Sequence, residues 1–219
     1  MKDSTISGIG NPVTQFSSGA VRDIQEDKGR MDLIPLSVVG DLVSMYQKLL
    51  CSISNKTETE LVDKIFKNLN TYIYGGNTNY LLESICIFTF ISLEWCDYVQ
   101  SERIFYAILD VSKHYKQGLE KYGERNWEKG IPLHSFIDSG TRHFVKWLAH
   151  FNDERHDLAF IWNLLCCCHT QQFINNSSLM DLPFCKTKPT MTSHVDDTNT
   201  KLKRLGWKSE EKLDESTNR

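Results

Sequence analysis

From Leu36 onward the apolar residues of the chain recur at helical spacing. Val39, Leu42, Val43, Tyr46, Leu49 and Leu50 occupy the i, i+3, i+4, i+7 positions of one helix face and predict a first helix starting at Leu36. Thr57-Glu58-Thr59-Glu60 supplies capping chemistry for a second, with Leu61, Ile65 and Leu69 as its stripe and Gly75-Gly76 as its end. Residues 77–98 are apolar on most sides and read as a third, buried helix. A fourth is expected over residues 101–122, where Ile104, Ile108, Val111, Tyr115 and Leu119 are in register and Gly123 is placed to cap. After a loop through residues 126–130, Pro132 opens a fifth helix to about residue 150, and Asp153 caps a sixth that runs to about residue 170. No strand alternation interrupts residues 36–170, so the expected fold class is all-α, a compact multi-helix bundle.

The ends have a different texture. Residues 1–16 are rich in Ser, Thr, Gly and Asn and are expected to be flexible; glycine amid alternating charges then predicts an ordered loop up to Pro35. From about residue 173 few apolar residues remain, which predicts a flexible tail with a short helix inside it. Within that tail residues 197–213 are similar to the closing segment of nucleotide-sugar epimerases and reductases, yet the chain has no G-x-G-x-x-G and no βαβ pattern to receive such a segment. One domain, residues 17–172, is the expectation for a chain of 219 residues.

Composition narrows the partners. A formal net charge of −3 offers no electrostatic footprint for long DNA or RNA. The start of the chain has no hydrophobic signal segment, so a cytoplasmic location is expected, that of the host if the chain is encoded by a phage. The most apolar stretch, residues 84–96, is too short to span a bilayer and is interrupted by Glu94, so no membrane partner is expected. Seven cysteines are an odd number, and Cys166, Cys167 and Cys168 are adjacent in an apolar run, which suits reduced core thiols better than disulfides or a C-x-x-C zinc site.

Candidate chemistry concentrates on the fifth and sixth helices. Asp138, Arg142 and Lys146 are spaced by four and share a face, with His143 displaced by one position; a solvated salt bridge is the plain reading, and a lined pocket the functional one. Glu154 and Asp157 are spaced by three at the start of the sixth helix, where a carboxylate pair could hold Mg²⁺ or could simply complement the helix dipole. His156 and Asn163, on the mainly apolar continuation, need hydrogen-bond partners or a ligand. Cations for a phosphate group stand in glycine-bearing loops: Arg22, Lys28 and Arg30 early in the chain, then Lys121 before the turn that carries Asn126 and Trp127.

These blocks together resemble a known family. Gly19-Ala20-Val21-Arg22-Asp23, Gly29-Arg30-Met31-Asp32-Leu33, the run from Lys121 to Gly130 (KYGERNWEKG), Asp138-Ser139 with Arg142-His143, and the run from His156 to Asn163 (HDLAFIWN) look like the phage dATP/dGTP diphosphohydrolase N-terminal-domain family. The resemblance implies hydrolysis of a deoxypurine nucleoside triphosphate to its monophosphate and pyrophosphate, an activity shared with the MazG-like all-α enzymes. Those enzymes hold Mg²⁺ with E-x-x-E followed by E-x-x-D; Glu154-Arg155-His156-Asp157 matches the second half, while the first half is absent as written, since Glu120, Glu124 and Glu128 are spaced by four.

The expected site therefore has Asp138, Glu154 and Asp157 on Mg²⁺, or on Mn²⁺ in its place. His143 or His156 would carry a proton, and Arg22, Lys28, Arg30, Lys121, Asn126, Trp127, Arg142, Lys146 and Asn163 would hold the nucleotide, with Trp127 as the base-stacking candidate. Two other readings stay open: an HD-type metal-dependent phosphohydrolase, on His143 followed by His156-Asp157, and a nucleotide-sequestering protein without turnover. A homo-oligomer is expected, with the helices before Tyr122 supplying a face.

Overall fold

Among the described residues six helices form where the apolar period predicts them: α1 Leu36–Ile53, α2 Glu58–Gly75, α3 Asn79–Ile91, α4 Arg103–Tyr122, α5 Leu133–Leu148 and α6 His156–Phe173. The computed structural model describes residues 4–6, 13–23, 28–174 and 176–182, all inside the unit Met1–Phe184. The expected C-terminal tail, with its stretch 197–213, lies outside the described residues, as does most of the segment 1–16. The all-α class is borne out, with one addition. Ahead of the bundle, β1 Ser4–Ile6, β2 Val13–Gln15 and β3 Val21–Asp23 make a small antiparallel sheet in chain order. Residues 16–20 join β2 to β3 as a tight loop, closed by the Phe16 amide on the Ala20 carbonyl at 2.9 Å and turned at Gly19, whose φ is +86°.

Local signals fix the helix ends. The Thr57 hydroxyl accepts from the Glu60 amide while the Glu60 carboxylate accepts from the Thr57 amide, a complete capping box for α2. α3 stops at Ile91, earlier than its hydrophobicity predicts, because Ser92 turns extended and its hydroxyl accepts from the Glu94 amide to start a short 3-10 turn. α6 begins at His156, so Asp153 does not cap it.

The core gathers around α3, α5 and α6. Phe88, Phe144 and Phe160 are fully buried with ring centroids 4.8–5.9 Å apart, and each such burial stabilises by about 1.5–3 kcal/mol. Gly140 lets α5 and α6 close on each other: a Cβ there would stand 3.3 Å from Asn163 Cβ. α1 is long and apolar enough by composition to cross a membrane, but Val38, Leu42, Tyr46 and Ile53 are buried in the shared core, as in a bundle helix. The six described cysteines are free thiols, and Cys166, Cys167 and Cys168 are buried on α6, with Cys166 3.2 Å from the Tyr115 hydroxyl.

Two segments strap the bundle around α4 and α5. Residues 28–35 cross α4 so closely that a Cβ on Gly29 would fall 1.7 Å from Ser112 Oγ, and the Arg30 amide donates to the Ser112 carbonyl at 3.1 Å. After α6 the chain returns over the start of α5, where the Leu133 amide donates to the Leu179 carbonyl and the His134 amide to Asp181 Oδ1, both at 3.0 Å.

Candidate active site

A cavity of about 540 Å³ opens among α4, the loop 123–131, α5 and α6, within the size range of sites for small ligands. The loop is shaped by left-handed backbone: Gly123 ends α4 at φ +89°, Arg125 stands at φ +49° and Gly130 at φ +120°. Between them a 3-10 turn, Asn126–Lys129, lays Trp127 against the bundle. Arg125 is tied down by the Glu128 carboxylate and the Asp32 carbonyl, and Leu33 of the strap closes part of the wall.

Of the residues expected from the sequence, Lys121, Asn126, Trp127, His143, Glu154 and Asn163 line this cavity together. Trp127 is buried at 6% exposure, edge-to-face with Tyr115 at 5.7 Å and His169 at 4.9 Å, so it is built into the wall and has no freely exposed ring face; its indole N–H has no partner among the described residues. Asn163 is buried and donates to the Ala159 carbonyl at 2.8 Å. Lys121 is exposed, its ammonium 5.0 Å from the Tyr122 ring centroid.

The other expected residues lie away from the cavity lining. Asp138 and Arg142 do share a face of α5, but it is the outer one, where they pair with each other at 67% and 57% exposure. Lys146 is bonded to Asp153 at 2.9 Å and does not line the cavity. Arg30 pairs with Asp32 at 2.6 Å and with Glu124 at 3.4 Å, which makes it a fastener of the strap. Arg22 lies on β3 and Lys28 is exposed at the start of the strap; neither lines the cavity.

The expected carboxylate pair also separates. Because α6 starts at His156, Glu154 belongs to the preceding loop and the three-residue spacing to Asp157 has no helical meaning. Asp157 is 3% exposed and its two oxygens accept from Arg155 at 2.9 and 2.6 Å, so it is spent on a bidentate pair. This also removes the Asp of the HD pattern, although its two histidines do meet.

That meeting brings three possible metal donors together. His143 Nδ1 and His156 Nδ1 stand 3.0 Å apart, and Glu154 Oε1 is 3.5 Å from each. Among the described residues these three form a cluster whose donors could hold a metal ion, and neither Asp138 nor Asp157 joins it. Behind it, His156 Nε2 is 2.8 Å from Asp153 Oδ1, while Asp153 Oδ2 accepts from Lys146. The Lys146 ammonium, then the His156 ring, hold the Asp153 carboxyl down at about 2. Burial depresses the His143 imidazole below its ordinary value, against the pull of Glu154.

Sequence reasoning missed His114 and Arg125 in the wall. His114 follows Val111 by three residues, so the stripe of α4 already placed it near the inner face. Burial, then the proximity of His143, lowers its pKa and keeps it neutral at pH 7. Arg125 carried no such signal, since its place depends on a left-handed turn.

An all-helical bundle with a ligand-sized cavity and a metal-competent donor cluster on its wall is the class these observations define. Residues 98–180 match the family model described as dATP/dGTP diphosphohydrolase, N-terminal, which bears out the family resemblance over α4, α5 and α6. The strap and the sheet lie outside that match. No curated protein and no solved structure matches the chain.

Proposed function

We propose that the cavity binds a deoxypurine nucleoside triphosphate, dGTP or dATP, and that the protein hydrolyses it to the monophosphate and pyrophosphate. The observation that carries this reading is the composition of the cavity lining: the Trp162 ring, the amides of Asn126 and Asn163, and the Lys121 ammonium share a cavity with His143 and Glu154. Rings and amides are what a base requires, cations are what a polyphosphate requires, and the family matched by α4 to α6 carries this activity in its description. In the reaction a water oxygen bonds to the α-phosphorus, the bond from that phosphorus to the bridging oxygen breaks, and pyrophosphate leaves.

A divalent cation held by His143, Glu154 and His156 would neutralise phosphate charge and lower the pKa of a bound water. Lys121 lines the cavity as a positive charge for the polyphosphate, and its contribution is electrostatic. A ring nitrogen of neutral His114 can accept the proton that the attacking water loses, a role His143 and His156 cannot fill while their facing nitrogens serve the cluster. The test is a panel of dNTPs and NTPs with Mg²⁺ or Mn²⁺, scored separately for pyrophosphate and phosphate. Pyrophosphate from dGTP or dATP is the expected result. Phosphate in its place, or tight nucleotide binding without turnover, overturns the reading.

A further inference from the structure

We propose that His143 Nδ1, His156 Nδ1 and Glu154 Oε1 form a site for one first-row transition-metal dication, of the zinc, cobalt or iron class, with Asp153 as the residue that positions His156 for it. This deepens the hydrolase reading by naming the ion that the cavity wall is built to take. Its own support is geometric. Ligand atoms about 2.1 Å from a metal stand about 3.0 Å apart at right angles and about 3.4 Å apart at the tetrahedral angle. The three separations here are 3.0, 3.5 and 3.5 Å.

Protonation points the same way. A carboxylate can only accept, so the 2.8 Å contact with Asp153 puts the proton of His156 on Nε2 and leaves the Nδ1 lone pair facing His143 and Glu154. Asp153 is itself fixed by Lys146 at 2.9 Å, so the ring is held in one tautomer and one orientation by a lysine-carboxylate-histidine chain. A carboxylate on the far nitrogen is the usual outer partner of a metal-ligating histidine. A hydrogen bond between the two imidazoles accounts for their 3.0 Å contact, whereas an ion shared by all three groups accounts in addition for Glu154 Oε1 standing 3.5 Å from both ring nitrogens.

Two imidazoles among three donors select against Mg²⁺, which takes oxygen ligands, and in favour of ions that accept nitrogen readily. The cluster is also at the right border: His143 and Glu154 line the cavity, whereas the His156 side chain is 1% exposed.

The experiment uses the full chain, stripped with chelator and titrated with Co²⁺ and separately with Mg²⁺, followed by calorimetry and visible absorption without nucleotide. One Co²⁺ per chain with a ligand-field band is expected, unaffected by equimolar Mg²⁺. His143→Ala and His156→Ala should weaken Co²⁺ binding at least about a hundredfold, and Asp153→Asn about ten- to a hundredfold. Glu154 is about half exposed, so Glu154→Gln keeps the fold and must weaken binding as well if a histidine variant fails to fold. Absence of the Co²⁺ signal, equal binding by the folded variants, or displacement by equimolar Mg²⁺ overturns the site. Co²⁺ binding by a protein that hydrolyses no nucleotide retains the site and removes the hydrolase reading; hydrolysis that survives chelation and both histidine variants does the reverse.

Discussion

On the outer side of α5, Asp138 and Arg142 pair with each other at 67% and 57% exposure, whereas one position further round the same helix His143 faces inward at 15% exposure beside His156 and Glu154. Both sides carry ionisable groups at helical spacing. The outer pair sits in water, where high dielectric and salt leave an ion pair about 0–1 kcal/mol. The inner group has lost most of its water, and there the same kinds of side chain control each other's protons and can share an ion. Spacing tells which residues share a face; only packing tells which face is desolvated, and chemistry follows desolvation.

Three substitutions sharpen this contrast. The largest effect belongs to Glu154→Gln, which keeps shape but removes a donor from the inner cluster. A drop of about a thousandfold in pyrophosphate release is expected, since a lost share of metal charge at the transition state is worth several kcal/mol. Single-turnover rates on dGTP and dATP measure it, and a loss below about tenfold would move Glu154 out of the machinery.

Asp157→Asn comes next and acts on stability. It breaks a buried carboxylate away from Arg155 and should cost about 1–3 kcal/mol in urea unfolding. Turnover lost at unchanged stability would restore Asp157 as a ligand. Smallest of all, Asp138→Ala should shift stability by less than about 0.5 kcal/mol and leave turnover within about twofold. A large fall in activity from this exposed position would erase the distinction between the two sides of α5.

Most of the bundle was legible in the sequence because its signals are local. The stripe of α1, the Thr57–Glu60 capping box, the glycine after α4 and the proline before α5 each act within a few residues, and each is found where the chain predicts it. The third helix is shorter than its sequence predicts because apolar residues continue past Ile91, while its end is set by Ser92 turning out of helical geometry. The strands of the N-terminal sheet are three residues long, too short for alternation to register.

The site was half legible for the same reason. Lys121, Asn126, Trp127, His143, Glu154 and Asn163 were identified from residue type and motif, and the cavity gathers them. The expected ligand set does not come together, because Asp153 looks like a helix cap and Glu154-x-x-Asp157 like a helical pair in the sequence. Both inferences need the helix to start two residues earlier than it does. What moved its start is a set of contacts across the chain, Lys146 and His156 on Asp153 and Arg155 on Asp157, which no local window contains.

The strap across α4 has a consequence for the time course of folding. Arg125 grips the Asp32 carbonyl across 93 residues of chain, and Leu33 is part of the cavity wall. Closing so long an excursion costs only about 0.6 kcal/mol more for each doubling of its length, so equilibrium tolerates it easily. Rate is less forgiving, because contacts between distant positions form slowly compared with helices and neighbouring turns. The helices can assemble early from local contacts, while the pocket waits for the ends of that long loop to meet. A newly made chain would therefore have its bundle before it has its site.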